Sequence, residues 1–161
     1  MADIAKRLYD AMITEKVLNK IGLAAVRIIV KRTRRQSLDV SGKSLQPYSA
    51  KYLAKRAGDG LASPAKVTMS FARTNSMLDT IDLRAAENYV ELYFNDPLKE
   101  KLAYYHNISG AGKSRVIRRF WGIEIEQEKE NLTQLAQKEA ERTLTEAVGV
   151  ILKQLYVEGE S

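Results

Sequence analysis

The chain contains no cysteine, which excludes disulfides and thiolate metal sites. A single histidine in 161 residues also removes the His-rich metal centres and the Ser–His or Cys–His arrangements of nucleophilic catalysis. Long hydrophobic runs are missing as well. The longest, Ile21–Val30, is interrupted by Arg27 and falls far short of the roughly 20 residues that span a bilayer, so no membrane partner is expected. The first residues, Met-Ala-Asp-Ile-Ala-Lys-Arg, lack the apolar core of a secretory signal, which points to a product assembled inside a cell. No catalytic residue, cofactor or metal ion is expected.

Acids are scarce in the front of the chain and cations in the back. Residues 1–60 carry 13 Lys/Arg against 5 Asp/Glu, residues 61–122 carry 9 against 6, and residues 123–161 carry 4 against 9, for a net charge of +6. A basic front suits either nucleic acid or the acidic end of another segment or subunit. Self-complementarity is the commoner reason for such a split, and we weight it first.

In chain order, Asp3 to Ser37 has helical spacing, with Asp3 as N-cap. Gly22 predicts a break or bend between Thr14 and Gly22. Lys31, Arg32, Arg34 and Arg35 close that helix, where the dipole favours cations. Residues 38–64 read as a long extended loop rich in turn signals, with two helical turns from Ser49 to Arg56 inside it. Little apolar area offsets its ordering entropy, so it is expected to be poorly ordered in a free subunit. Lys66–Arg73, Ile81–Ala85 and Asn88–Phe94 read as strands, the last with Val90, Leu92 and Phe94 on one side. Leu98–Ala103 reads as a short helix. Glu126–Val157 reads as a long one, with an apolar stripe from Leu132 to Leu155, acids in its first turn and a polar tail over residues 158–161. The expected fold is α+β, a single domain over residues 1–161. Long N- and C-terminal helices pack on a small, mainly antiparallel sheet, with a long loop after the first helix.

The stretch Ala103–Gly122 concentrates the rare residues: the only His, the only Trp, two Tyr, one Phe and three Gly. It predicts a hairpin-like unit that docks the last helix through Phe120. Gly110-Ala-Gly-Lys-Ser114 looks like the end of a phosphate-binding loop, but the first glycine position of that motif is Asn107 and the sequel reads as extended. His106 has no evident nucleophile or carboxylate near it in sequence, and a packed histidine beside Tyr104 and Tyr105 is the expectation. Asp79 and Asp82 have the spacing of metal-binding carboxylates but read as a solvated face. Arg115, Arg118 and Arg119 beside Phe120 and Trp121 have the composition of a stacking platform for single strands, and equally that of a protein interface. Interface is the first reading.

Four spaced motifs together resemble the tail-completion, or virion-morphogenesis, proteins of tailed bacteriophages. They are Ser41-Gly42 with Leu45-x-Pro47-Tyr48-Ser49-x-x-Tyr52-x-x-Lys55, Thr74-Asn-Ser-Met77-Leu-Asp-Thr-Ile81, Ala103-Tyr-Tyr-His106-Asn107, and Arg119-Phe120-Trp121-Gly122. Asn75 stands where that family has glycine and Ile117 where it has proline. The resemblance implies a non-enzymatic subunit of the virion neck, assembled in the host cytoplasm. It implies a tail terminator that forms a homo-oligomeric ring, a hexamer being favoured. Such a ring meets tail-tube, sheath and head-completion or connector proteins, with genomic DNA passing through it. The alternatives are a stopper or adaptor subunit of the head–tail connector, or a basic nucleic-acid-binding module. In the ring, Lys31, Arg32, Arg34 and Arg35 of one subunit are expected near Glu124, Glu126 and Glu128 of the next. Arg115, Arg118, Arg119 and Trp121 are expected to contribute to the same contacts.

Overall fold

The computed structural model describes residues 12–47, 49–52, 54, 77–110 and 115–158, with side chains described as far as residue 150. The expected Asp3 cap, the strand over residues 66–73, the glycine loop over residues 111–114 and the tail beyond Glu158 lie outside the described residues. The fold is α+β. Helix α1 spans Glu15–Val30 and is continued by a wide π-helical turn, Lys31–Gln36. After a 3-10 turn at Met77–Thr80 come strands β1 (Ile81–Ala85) and β2 (Val90–Phe94). Helix α2 (Pro97–Tyr104) runs into a second π-turn, Tyr105–Ser109, and helix α3 occupies Glu126–Glu158.

Thr14 starts α1, its hydroxyl accepting a hydrogen bond from the Val17 amide, so the break falls at this cap and the helix runs through Gly22 unbroken. Leu18, Gly22, Ala25, Ile29 and Arg32 recur at alternating steps of four and three, and all are buried. That face lies on the hairpin. In β1 and β2, Ile81, Leu83, Ala85, Val90, Leu92 and Phe94 are half-buried and their alternate neighbours exposed, with Ile81 opposite Phe94 and Ala85 opposite Val90 in antiparallel register. A two-stranded ribbon is marginal alone, and here α1 supplies the surface that covers it. Gly22 makes the approach close: a Cβ there would stand 2.8 Å from Val90 Cγ2 and 3.3 Å from Leu83 Cδ2.

Helix α3 has 33 residues and is about 50 Å long. It lies antiparallel to α1, because Arg32 meets Glu128 near one end and Lys20 meets Glu139 further along. The core sits where the helices and hairpin converge: Ile29, Met77, Leu78, Ala103 and Phe120, with Val30, Ile81, Leu92, Phe94, Trp121 and Ile123 around them.

The loop after α1 departs from expectation over its first ten residues. Leu38 bridges Ser44, and Val40 and Leu45 are buried. Asp39 holds the turn by accepting from the Ser41 amide and hydroxyl and from the Lys43 amide, while Gly42 takes φ +82°. Burial disfavours the Asp39 carboxylate, but these bonds outweigh it and its pKa is lowered. Residues 38–47 are therefore part of the packed structure, against the expectation of poor order. Further on, Ser49 does cap a helical turn, accepting from the Tyr52 amide.

The close approach at Gly22 is testable. Gly22→Val places methyl groups where Val90 and Leu83 already stand, and overpacking of this kind costs about 1–3 kcal/mol. A thermal or urea melt matching the parent protein would show that α1 does not sit on the hairpin this tightly.

Candidate functional site

The segment Arg118–Gly122 crosses the core between the ends of α1 and α2, outside any helix or strand. A buried irregular backbone must find partners for every N–H and C=O group. Here the two π-turns and the loop after α1 supply partners to three of its amides and three of its carbonyls. The Arg118 amide donates to the His106 carbonyl at 2.6 Å, and the Arg119 carbonyl accepts from the Val40 amide at 2.7 Å. Asn107 Oδ1 accepts from both the Phe120 and Trp121 amides, at 3.0 and 2.9 Å. Its Nδ2 donates back to the Ala103 carbonyl at 2.8 Å, which fixes the side-chain orientation. From the opposite side Arg32 Nη2 donates to the carbonyls of Phe120 (2.9 Å) and Gly122 (2.6 Å), and Nη1 donates to Glu128. Gly122 turns the chain at φ +116° towards α3. Phe120, fully buried, is the apolar centre of the crossing, and Trp121 lies against Phe94 with ring centroids 4.7 Å apart.

Arg32 and Glu128 thus meet inside one chain. They were expected on the surfaces of two different subunits. At 1% exposure the Arg32 guanidinium is core, and removing it would leave a half-buried carboxylate and two carbonyls without their donor. Its fork explains why arginine stands here, since a lysine ammonium cannot reach three acceptors in this planar arrangement. Arg118 is buried too, donating to the Gln46 and Pro47 carbonyls, so it anchors the loop after α1 and faces no surface. Arg119 pairs with Glu124, Arg34 with Asp79 and Glu126 with Lys129, all within the chain and all exposed. Pairs this exposed contribute about 0–1 kcal/mol each. The stacking platform is not assembled: Phe120 is buried, Trp121 half-buried and Arg118 inside, while Arg119 is exposed but paired with Glu124 and Arg115 stands in solvent at φ +47°. Lys31 and Arg35 are exposed and form no ion pair among the described residues.

His106 is buried, as a packed histidine would be, while Tyr104 and Tyr105 form an edge-to-face pair on the outside. Burial, and then the charge of Arg118, press its pKa down to about 4. It is neutral near pH 7. At the glycine-rich stretch, Gly110 takes φ +83° and residues 115–125 contain no helix, so the context a phosphate-binding loop requires is missing. Among the described residues no three His, Asp or Glu side chains gather as a metal site would need.

Sequence reading missed three things here. The heptad-like row Leu18–Gly22–Ala25–Ile29 already extends to Arg32, which marks that arginine as inward-facing. Glu128 and Glu139 fall on the stripe that contains Leu132 and Leu135, which marks them as facing α1. For Asn107 no local signal exists, because its partners lie 13 and 14 residues away. Comparison with family models, with curated proteins and with solved structures found no match to this chain.

Two measurements test the crossing. Asn107→Ala leaves the Phe120 and Trp121 amides without an acceptor and should cost about 2–3 kcal/mol, whereas Asn107→Asp keeps the acceptor and should cost less. Equal losses for the two variants would remove Asn107 as the acceptor that matters. The second concerns pH. Unfolded His106 binds a proton near pH 6.5, and the folded chain resists it until about pH 4. Stability from this group is therefore complete above pH 6.5, falls as pH drops towards 4, and changes no further below that, for a loss of about 3 kcal/mol. Urea titrations of His106→Gln should lack this fall between pH 6.5 and 4.

Proposed function

We propose that this chain is a structural subunit of a bacteriophage neck, a tail-terminator-like protein. Copies of it close into a ring, a hexamer being favoured, that caps the tail tube and meets the head-completion proteins. One observation carries the reading: the segment Pro97–Ser109 has two differently used sides. Its inner side supplies Ala103, His106 and Asn107 to the crossing. These are residues of the motif through which the chain resembles the tail-completion family, and they meet Phe120 and Trp121 of a second such motif there. Its outer side leaves large apolar residues in solvent. Leu98, Leu102 and Tyr105 follow one another at helical spacing, with Tyr104 and Ile108 beside them, and Leu98 is 78% and Ile108 61% exposed.

A run of that kind on a rigid element marks a contact surface, and aromatic residues are enriched in such contacts. The element is fixed from within by the crossing and apolar without, as a subunit that builds an assembly by surface contact requires. The charge pairing expected across the ring has no part in this reading, because Arg32 and Glu128 pair within the chain.

The mass in solution tests it. Light scattering of the purified chain should give a closed oligomer. Leu98→Asp with Ile108→Asp should shift the mass towards the monomer while leaving the helical circular dichroism unchanged, since both positions are exposed. A wild-type chain that stays monomeric at the highest soluble concentration would overturn the ring.

A further inference from the structure

We propose that the solvent-facing row Arg27–Lys31–Arg35 at the end of α1 binds the phosphate backbone of double-stranded DNA. The structure divides the cations of this region into two sets. Lys20, Arg32 and Arg34 have carboxylate partners in Glu139, Glu128 and Asp79. Arg27, Lys31 and Arg35 are exposed, stand at successive steps of four residues, and form no ion pair among the described residues. They share the side of α1 opposite the buried Leu18–Gly22–Ala25–Ile29 face, and Lys16 lies on the same side nearer the helix start. Arg27 and Lys31 are about 6 Å apart along the axis.

The chemistry of the row favours a duplex over other polyanions. A single strand is held by stacking on aromatic rings, and this side of α1 exposes none. A membrane-surface helix turns an apolar face to the lipid, whereas the apolar face of α1 lies on the hairpin and Leu23 is the one large apolar residue on the exposed side. What remains is a regular line of charge on a helix whose position is fixed by the core, suited to a regular line of phosphates and blind to base sequence.

The experiment is fluorescence anisotropy of a labelled duplex of about 20 base pairs, titrated with the full chain over a range of NaCl concentrations. Each phosphate contact steepens the dependence of log K on log salt by about 0.9, so Arg27→Gln, Lys31→Gln and Arg35→Gln together should flatten the slope by about 3. Arg34→Gln and Arg119→Gln, whose cations pair within the chain, should leave it nearly unchanged. Light scattering of the triple variant should return the wild-type mass, which separates a failure here from a failure of the ring. No binding by the wild-type chain at 50 mM NaCl, or a triple variant with the wild-type slope, would overturn the assignment. So would tighter binding to vesicles of mixed phosphatidylserine and phosphatidylcholine than to the duplex, lost in the same variant.

Discussion

Everything in this fold depends on how five residues of irregular backbone cross its centre. Arg118 to Gly122 carry peptide groups into a region lined by Ile29, Met77, Leu78 and Ala103, where an unpaired N–H or C=O costs about 1–3 kcal/mol. No strand pairs with them. Instead one asparagine accepts two amides, one guanidinium donates to two carbonyls, and backbone groups of Val40 and His106 each pair with one more group. Each partner comes from a different piece of chain: the turn ending α1, the loop after it, and the turn ending α2. The crossing therefore joins these pieces, and the Arg32–Glu128 pair carries the join on into α3.

The two π-turns are the geometric reason this works. Both helices that reach the crossing end by widening, α1 over Lys31–Gln36 and α2 over Tyr105–Ser109. Such turns are uncommon, and where they occur they often mark a site. In the first, the Arg32 carbonyl accepts from Ser37 and Leu38, while Ser37 goes left-handed at φ +55° and releases the chain towards Val40. The second points Asn107 and His106 inward and leaves Tyr104 and Tyr105 outward. An ordinary helical end would rotate these side chains differently, and two opposed clamps on a single segment would not result.

Periodic features were legible in the sequence and long-range polar ones were not. The alternation over Ile81–Ala85 and Val90–Phe94, the short helix over Leu98–Ala103, the burial of Phe120 and the extent of α3 all follow from local spacing rules, whereas the Asp96 cap that starts α2 at Pro97 lies in a stretch that reads as a turn. By propensity Gly22 signals a weak point in the helix, whereas its role is to let α1 approach Val90 and Leu83, which only the packed hairpin reveals. Residues 38–47 were read as loop because turn signals outnumber apolar residues, yet Val40 and Leu45 suffice once Arg118 and Arg119 bind that backbone. The basic front and acidic back of the chain do meet, at Lys20–Glu139 and Arg32–Glu128. The complement is closed within one chain, since the antiparallel pairing of α1 with α3 brings residue 32 to residue 128.

That closure alters what the surface charge means. Counted from sequence, the cluster at Lys31–Arg35 is a single block of four cations facing an acidic block elsewhere. Folded, it is two interleaved sets. Arg32 and Arg34 turn towards carboxylates, with Arg32 inside the core, while Lys31 and Arg35 turn to solvent in line with Arg27. Interleaving follows from helical winding, because successive side chains rotate about the axis and a run of four or five residues turns through both sides. The same argument holds at Tyr104–Asn107, where two exposed tyrosines precede two residues that face the crossing. A short motif on a helical turn thus serves two surfaces at once. A substitution in it acts on the core or on a partner according to the side its residue occupies, however close the two stand in sequence.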